Sequence, residues 1–505
     1  MRYILFTLLL AIAFLSKGQS ANRDIRTLIV IFDGLRPDYI TPALMPNLYS
    51  LKQRGAYVSQ NHSVFPTVTR VNASSYATGS YPSTHGLMGN TVYFPEVDRK
   101  NTLNTGDAGA LMRIAEATGN QLLTAKSLGE ILKDAGERLF VFSSGSSGQA
   151  FLQNHTVSGG AVIHPDLMLP SSIKSKVLAA VGPPPAQAVP NFAQHDWVAR
   201  AFLHFGLQEN GPRVSAIWFS DPDGSAHKYG IGSAQAMESI KGVDEHFGFI
   251  IRTLENRNLI DKFNIIVTAD HGFATNIGKV RLRDFLIEKG LKQSANSDDV
   301  ILAGNAIFVK DHDRDAIAKI VATLQPESWV GAIFTRPAGK GSHKGWVPGT
   351  LSFDVIHWDH KRSGDILVDY NWTDEANELG YKGSSFSVGV AGHGGASSFE
   401  INIPLVAFGP SFKRSYESKL PTSNIDIVPT ILEIYQLPVP SSMQGRVLHE
   451  LLNGGKTTGT RTARTETLEA STRISGGTYR VVVQRTIVGK QRYVDFARVE
   501  RVSHD

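Results

Sequence analysis

The sequence predicts an α/β protein: a mainly parallel central sheet flanked by helices, with an inserted cap. Three observations predict it. Apolar, β-branched runs of strand length recur between amphipathic stretches of helix length. Several of these runs end in Asp or His, and in open parallel sheets ligands bind outside the carboxyl ends of the strands. The composition, 42% hydrophobic and 19% charged over 505 residues, supplies a large packed core and is too balanced for a disordered polymer.

At the amino end, Arg2 precedes an apolar run from Ile4 to Leu15, broken only by Thr7 and followed by Lys17, Gly18 and Ser20. A cationic start, a short apolar centre and small residues predict a signal peptide over 1–20, cleaved after Ser20, and a periplasmic or secreted mature protein. The run is short for a bilayer span, although a membrane anchor or a first core strand is the competing reading. With no cysteine to carry a lipid, no stable membrane anchor is expected.

Strands are expected over 27–32, 139–143, 214–219, 264–269 and 403–408, and helices over 124–135, 194–208, 234–256 and 424–435. Together they assign 21–273 and 391–453 to one core. The intervening 274–390 carries its own strand (301–309) and helix (314–324) signals plus four tryptophans, Trp329, Trp346, Trp358 and Trp372, and is expected to be the cap. The basic extension 454–505 reads as a hairpin, 478–483 against 485–496. Its ten Lys/Arg against four Asp/Glu between Lys456 and Arg501 suggest a solvated face rather than an anion-binding patch.

Charge and cysteine content narrow the function. The net charge of +5 falls to +3 (49 Lys+Arg minus 46 Asp+Glu) without the first 20 residues, so no nucleic-acid polymer is expected as partner. With 0 cysteines there is no disulfide, no thiolate metal site and no thiol nucleophile, so any metal rests on His and carboxylates.

Four segments supply such groups. Asp33 closes the first strand and precedes Gly34; taken alone it equally suits a turn or a helix cap. Asp223 and His227 have the i, i+4 spacing that puts two ligands on one side of a helical turn, while Asp221, ahead of Pro222, suits loop structuring. Asp270-His271 ends another strand, where a turn can aim both at one centre. His393 sits among glycines, and a lone histidine is usually a satisfied polar group, but three preceding strand-end sets favour a ligand. Between the first two segments, Thr69 opens a helix of small residues. A hydroxyl there is ordinarily an N-cap, yet a divalent cation would make it a nucleophile.

In this order, Asp33, Thr69, Asp223-x3-His227, Asp270-His271 and His393 resemble the type I phosphodiesterase/nucleotide pyrophosphatase family of the alkaline phosphatase superfamily. The likeness runs from about 27 to 448 and includes Thr84-His85-Gly86-Leu87-Met88-Gly89-Asn90 and 424–430. It implies an alkaline phosphatase-like core and two zinc ions per chain. Asp223, His227 and His393 would hold one; Asp33, Thr69, Asp270 and His271 would hold the other. It further implies Thr69 as covalent nucleophile and Asn72 as donor to a phosphoryl oxygen.

One position departs from that pattern: nucleotide-cleaving members usually carry an aromatic residue after the nucleophile, and this chain has Arg70. Arg70 either pairs with an extra phosphate oxygen, favouring monoesters, or caps the loop. Tyr93, with Tyr76 and Phe94, is an alternative base contact or plain packing. No C/S-x-P-x-R motif supports a sulfatase. The expected function is hydrolysis of phosphodiester or pyrophosphate bonds in a small phosphorylated substrate, a nucleotide or other phosphoester, through a phosphothreonine. The alternatives are an alkaline phosphatase-like monoesterase, a phosphonate hydrolase, or a catalytically silent protein that binds a phospholigand; the oligomeric state stays open.

Overall fold

The computed structural model describes residues 24–455 and 462–504, so the expected signal over 1–20 lies outside the described residues. The core is a ten-stranded sheet. Its strands in chain order are β1 (Arg26–Phe32), β2 (Ala56–His62), β3 (Leu139–Ser143), β4 (Ala161–His164), β5 (Leu167–Leu169), β6 (Val214–Phe219), β7 (Phe263–Thr268), β8 (Asn402–Phe408) and β9 (Tyr416–Ser418), with the short Thr422–Ser423 beside β2. Across the sheet they run β9-β2-β8-β7-β1-β6-β3-β4-β5. β1 is parallel to both β6 and β7, and β3 to β6 and β4, whereas β8 runs antiparallel to β2 and β7.

Alternation along β1 explains why the sheet is covered on both sides. Ile29 and Ile31 enter one apolar cluster, while Leu28, Val30 and Phe32 enter the other. Each such side chain contributes about 1.5–3 kcal/mol when fully buried, so the centre of the sheet is the best-anchored part of the molecule. The helix expected over 124–135 is shorter, Leu128–Asp134, because Ser127 and Glu130 close a capping box at its start.

Residues 274–390 build a five-stranded sheet with the helices Leu282–Glu288 and Arg314–Leu324 around their own apolar cluster. The single strand expected over 301–309 is instead the hairpin Val300–Ala303 and Ala306–Val309. Gly304, at φ 62, permits the two-residue turn that an apolar run alone does not reveal. The two ends of the region are sewn together: Ala274–Gly278 pairs antiparallel with Ala391–Gly392.

The extension is a three-stranded antiparallel sheet, Ala463–Ile474, Gly477–Val488 and Gln491–Ser503, rather than the expected hairpin. Gly476 (φ 79) and Gly489 (φ 62) make its two turns, and charged residues within the strands mask its true length. One face is apolar: Tyr479, Val481, Val483 and Ala497 pack in the cluster that holds Phe65, Met88 and Ala396. The other keeps its charges in water, with Arg480 between Glu469 and Glu500. Among the described residues, no helix is long and apolar enough to cross a membrane.

Candidate active site

Parallel pairing of β1, β6 and β7 sets their carboxyl ends side by side, which gathers Asp33, the 221–227 segment and Asp270-His271 at one edge. The pairing of Ala274–Gly278 with Ala391–Gly392 then delivers His393 to the same place, its ring stacked on His271 at 3.4 Å between centroids. Two sets of three result, Asp33/Asp270/His271 and Asp223/His227/His393, each with ligand atoms within 4.8 Å of one another. In the first, His271 Nε2 stands 3.0 Å from Asp270 Oδ2 and 3.4 Å from Asp33 Oδ1. In the second, Asp223 Oδ1 stands 3.2 Å from His227 Nε2 and 3.3 Å from His393 Nε2.

The surrounding hydrogen bonds suit both sets to a cation. Each ring donates from Nδ1 to a backbone carbonyl: His227 to Ala391 (2.9 Å), His271 to Gly272 (3.0 Å) and His393 to Thr67 (2.8 Å). Each ring, when neutral, therefore turns a bare Nε2 lone pair inward. One oxygen of Asp33 accepts from Trp218 Nε1 (2.9 Å) and one of Asp270 from the Gly34 amide (3.0 Å). The inward oxygens, Asp33 Oδ1, Asp270 Oδ2 and Asp223 Oδ1, are buried with no hydrogen-bond partner. Lone pairs converging on lone pairs are costly unless a cation or proton lies between them. Mixed carboxylate and imidazole donors without sulfur suit zinc.

Titration shifts show the same crowding. Burial, with Asp270 and Asp223 nearby, pushes the Asp33 carboxyl well above its usual range. Burial opposes charge on His271, but Asp270 outweighs it and raises the ring. Burial also opposes charge on Asp223, yet His227 and His393 hold it well below the usual range, and Asp223 in turn raises His227 against burial. Burial and the adjacent His271 push His393 down to about 4, leaving it neutral and able to ligate at neutral pH.

Thr69 is the first residue of α1 (Thr69–Thr78), and its Oγ1 lies 3.3 Å from His271 Nε2. The N-cap position belongs to Val68, and no side chain caps the helix, so the Thr69 hydroxyl is not used as a cap. Asn72 is not free to meet a phosphoryl oxygen. Its Oδ1 accepts from the Val64 amide (2.9 Å) and Asn424 Nδ2 (3.0 Å), and its Nδ2 donates to the carbonyls of Val64 (3.1 Å) and Val68 (3.3 Å). Asn72 thus pins the turn that carries Thr69, and the sequence expectation for it is corrected.

Asn90 is the amide that the structure brings to the nucleophile turn. Its Oδ1 accepts from the Arg70 amide at 3.0 Å, and among the described residues its Nδ2 donates to nothing. The only sequence signal was its place in the 84–90 stretch, because the contact spans twenty residues. Arg70 lies beside Thr69 in a cavity of about 380 Å³. Tyr93 does not join them: its ring packs on Phe308, its hydroxyl donates to the Arg99 carbonyl, and it lines a different cavity. Tyr76 is spent on the Ala269 carbonyl (2.6 Å) and Phe94 is core. Asp221 organises the loop, accepting from the Asn191 amide and from Ser225.

Comparison with known proteins places these residues in context. Residues 27–373 match the family described as type I phosphodiesterase / nucleotide pyrophosphatase. The chain is similar to the bis(5'-adenosyl)-triphosphatase enpp4 of Xenopus laevis, 26% identical over 419 residues that cover 80% of this chain and 76% of that one. It is also similar to a venom phosphodiesterase of Naja atra, 25% identical over 436 residues covering 83% of this chain and 45% of that one. Among solved structures, its fold is similar to that of inactive murine ectonucleotide pyrophosphatase / phosphodiesterase 5 in complex with AMP. The TM-score is 0.60 and the identity 17%, over 85% of this chain and 100% of that one.

Proposed function

The chain belongs to the type I phosphodiesterase / nucleotide pyrophosphatase family, and from that premise we propose that it is an exported, zinc-dependent hydrolase of phosphodiester or pyrophosphate bonds. The observation that carries the reading is the Thr69 hydroxyl, free of any capping role, at the edge of two inward-facing ligand sets. Asp223, His227 and His393 would hold one zinc ion, and Asp33, Asp270 and His271, with Thr69, the other. When bound, zinc supplies Lewis-acid stabilisation of negative charge on the attacking and leaving oxygens.

The protein's own groups do the rest. Asn72 and Asn424 hold the turn so that Thr69 Oγ1 faces the phosphorus. Oγ1 bonds to phosphorus as the bond to the leaving oxygen breaks; the Thr69 proton leaves to water, and water supplies the proton of the departing alcohol or phosphate. Asn90 Nδ2 is the donor to the developing charge on a non-bridging oxygen. Water then cleaves the phosphothreonine and restores the free hydroxyl. A silent binding protein would need none of this, since phosphate capture does not call for an inward-facing hydroxyl.

The venom relative and the AMP-bound neighbour favour small nucleotide phosphoesters as substrates and export as the setting. The deciding experiment compares zinc-loaded and chelated protein on a dinucleotide diester, followed by acid quench and peptide mass analysis for phosphate on Thr69. Zinc-dependent cleavage with a Thr69 adduct is expected; cleavage that survives chelation overturns the reading. Asn90→Ala should lower kcat about 10²–10³-fold at unchanged melting temperature, as loss of an oxyanion donor does. Asn72→Ala should instead cost stability, which a thermal melt reads directly.

A further inference from the structure

Beside Thr69 stands Arg70, whose Nε has no hydrogen-bond partner among the described residues. The Arg70 backbone is fixed by Asn90 (3.0 Å), and Arg70 lines a cavity with Thr69, Gly106 and the acids Asp33, Asp166, Asp221 and Asp223, for which it is the one guanidinium. Its Nε is buried and unpartnered among the described residues. The acids that influence it are Asp33, Asp223 and Asp270, which all belong to the two ligand sets and are committed once cations are bound.

The room for this guanidinium is made by one residue. A Cβ on Gly106 would lie 2.5 Å from Arg70 Nη2, so any side chain there displaces the guanidinium. Gly106 is itself fixed, its amide donating to Asn104 Oδ1 (2.9 Å) and its carbonyl accepting from Gly148 (2.9 Å). The guanidinium is only partly buried, but its Nε is sealed and unpartnered, so it gains when an anion completes it. The fork matches two oxygens of a phosphate or carboxylate.

We propose that Arg70, seated against Gly106, forms an anion subsite next to the phosphorus attacked by Thr69, so that the enzyme prefers phosphoesters carrying a further negative charge there. The inference rests on the phosphoesterase reading and specifies its substrate class. The charge has two possible sources: the extra oxygen of a terminal phosphoryl group, or an adjoining phosphate in a pyrophosphate. A diester with two uncharged arms offers neither.

The test uses the zinc-loaded full chain with p-nitrophenyl phosphate, a nucleoside diphosphate and bis(p-nitrophenyl) phosphate, together with calorimetric binding of inorganic phosphate. Arg70→Ala should lower kcat/KM roughly 10- to 100-fold on the substrates with the extra charge and less than about threefold on the uncharged-arm diester, with phosphate affinity falling by a comparable factor. Loss confined to the monoester or to the diphosphate identifies the source of the charge. Gly106→Ala should move every value the same way by a smaller factor, with thermal melts showing that both variants fold. Equal losses on all three substrates, or none together with unchanged phosphate affinity, overturn the subsite. If the wild type cleaves none of the three, the phosphoesterase reading fails while phosphate affinity still decides the role of Arg70.

Discussion

Asp33, Asp270 and His271 are sealed inside the protein, with side-chain exposures of 7%, 0% and 0%, whereas in the second set only His393 is comparably buried (6%), Asp223 being 19% and His227 43% exposed. The difference follows from where each set is built. The buried set hangs from β1 and β7 in the middle of the sheet, and the open one uses the short helix Asp223–Tyr229 and the 391–395 loop at its rim. The buried set is therefore part of the fold as well as the site, and a cation bound there would also add to stability. Thr69 touches the buried side, through His271, so the proposed nucleophile is attached to the more deeply buried set.

The largest effect tests that attachment. Thr69→Ala should lower kcat on a phosphodiester by roughly 10³-fold or more, while elemental analysis still finds both ligand sets filled. Thr69→Ser should keep part of the rate. Wild-type turnover by Thr69→Ala would remove this residue from the chemistry.

The next effect separates the two depths. His271→Ala and His227→Ala should each reduce bound zinc toward one ion per chain, yet their stability costs should differ. In chelated protein, the buried change should cost up to about 3–5 kcal/mol because Asp270 loses its partner. The exposed change should cost about 0–1 kcal/mol, the range of a solvated pair. Urea midpoints measure both, and equal costs would erase the distinction.

The smallest effect is a sign. Asp33 and His271 are both raised in the folded chain, so their stabilising contributions are complete below the ordinary values of 3.8 and 6.5 and are lost as pH rises through the raised ones. Metal-free protein should therefore lose stability from Asp33 as pH rises above 3.8 and from His271 only as it rises above 6.5. Asp223 and His393 carry the opposite sign: both are lowered, so their contributions are lost as pH falls through the folded values. Asp33→Asn should flatten the decline toward neutrality, and the gain in melting temperature on adding zinc should be larger at neutral than at mildly acidic pH. A steeper decline in Asp33→Asn would contradict the buried-charge account.

Much of this was legible one residue at a time. An apolar run that ends in Asp or His marks a strand and its carboxyl end together, which is why residues 27–33, 214–223 and 264–271 could be read for fold and site alike. Where chemistry depended on contacts distant in sequence, the reading failed. Asn72 and Asn90 both sit near Thr69 in the chain, and only the hydrogen bonds of the folded turn show that the Asn72 amide is spent, which makes Asn90 the proposed donor. Tyr93 looked available in the sequence, but Phe308, more than two hundred residues away in the chain, packs on its ring. The extension looked like a solvated basic hairpin because an alternating strand shows its charges in composition and hides its apolar face until a partner surface exists.

By itself the sequence determined the parallel core, the kind of atoms available for a metal and the place of the hydroxyl, because strand period, turn residues and side-chain chemistry are local properties. Tertiary structure alone decided that His393 meets His271, that each imidazole spends Nδ1 on a carbonyl and turns Nε2 inward, and that Gly106 leaves room for Arg70. Those outcomes depend on the distance and direction between atoms that are far apart along the chain, and no local pattern encodes them.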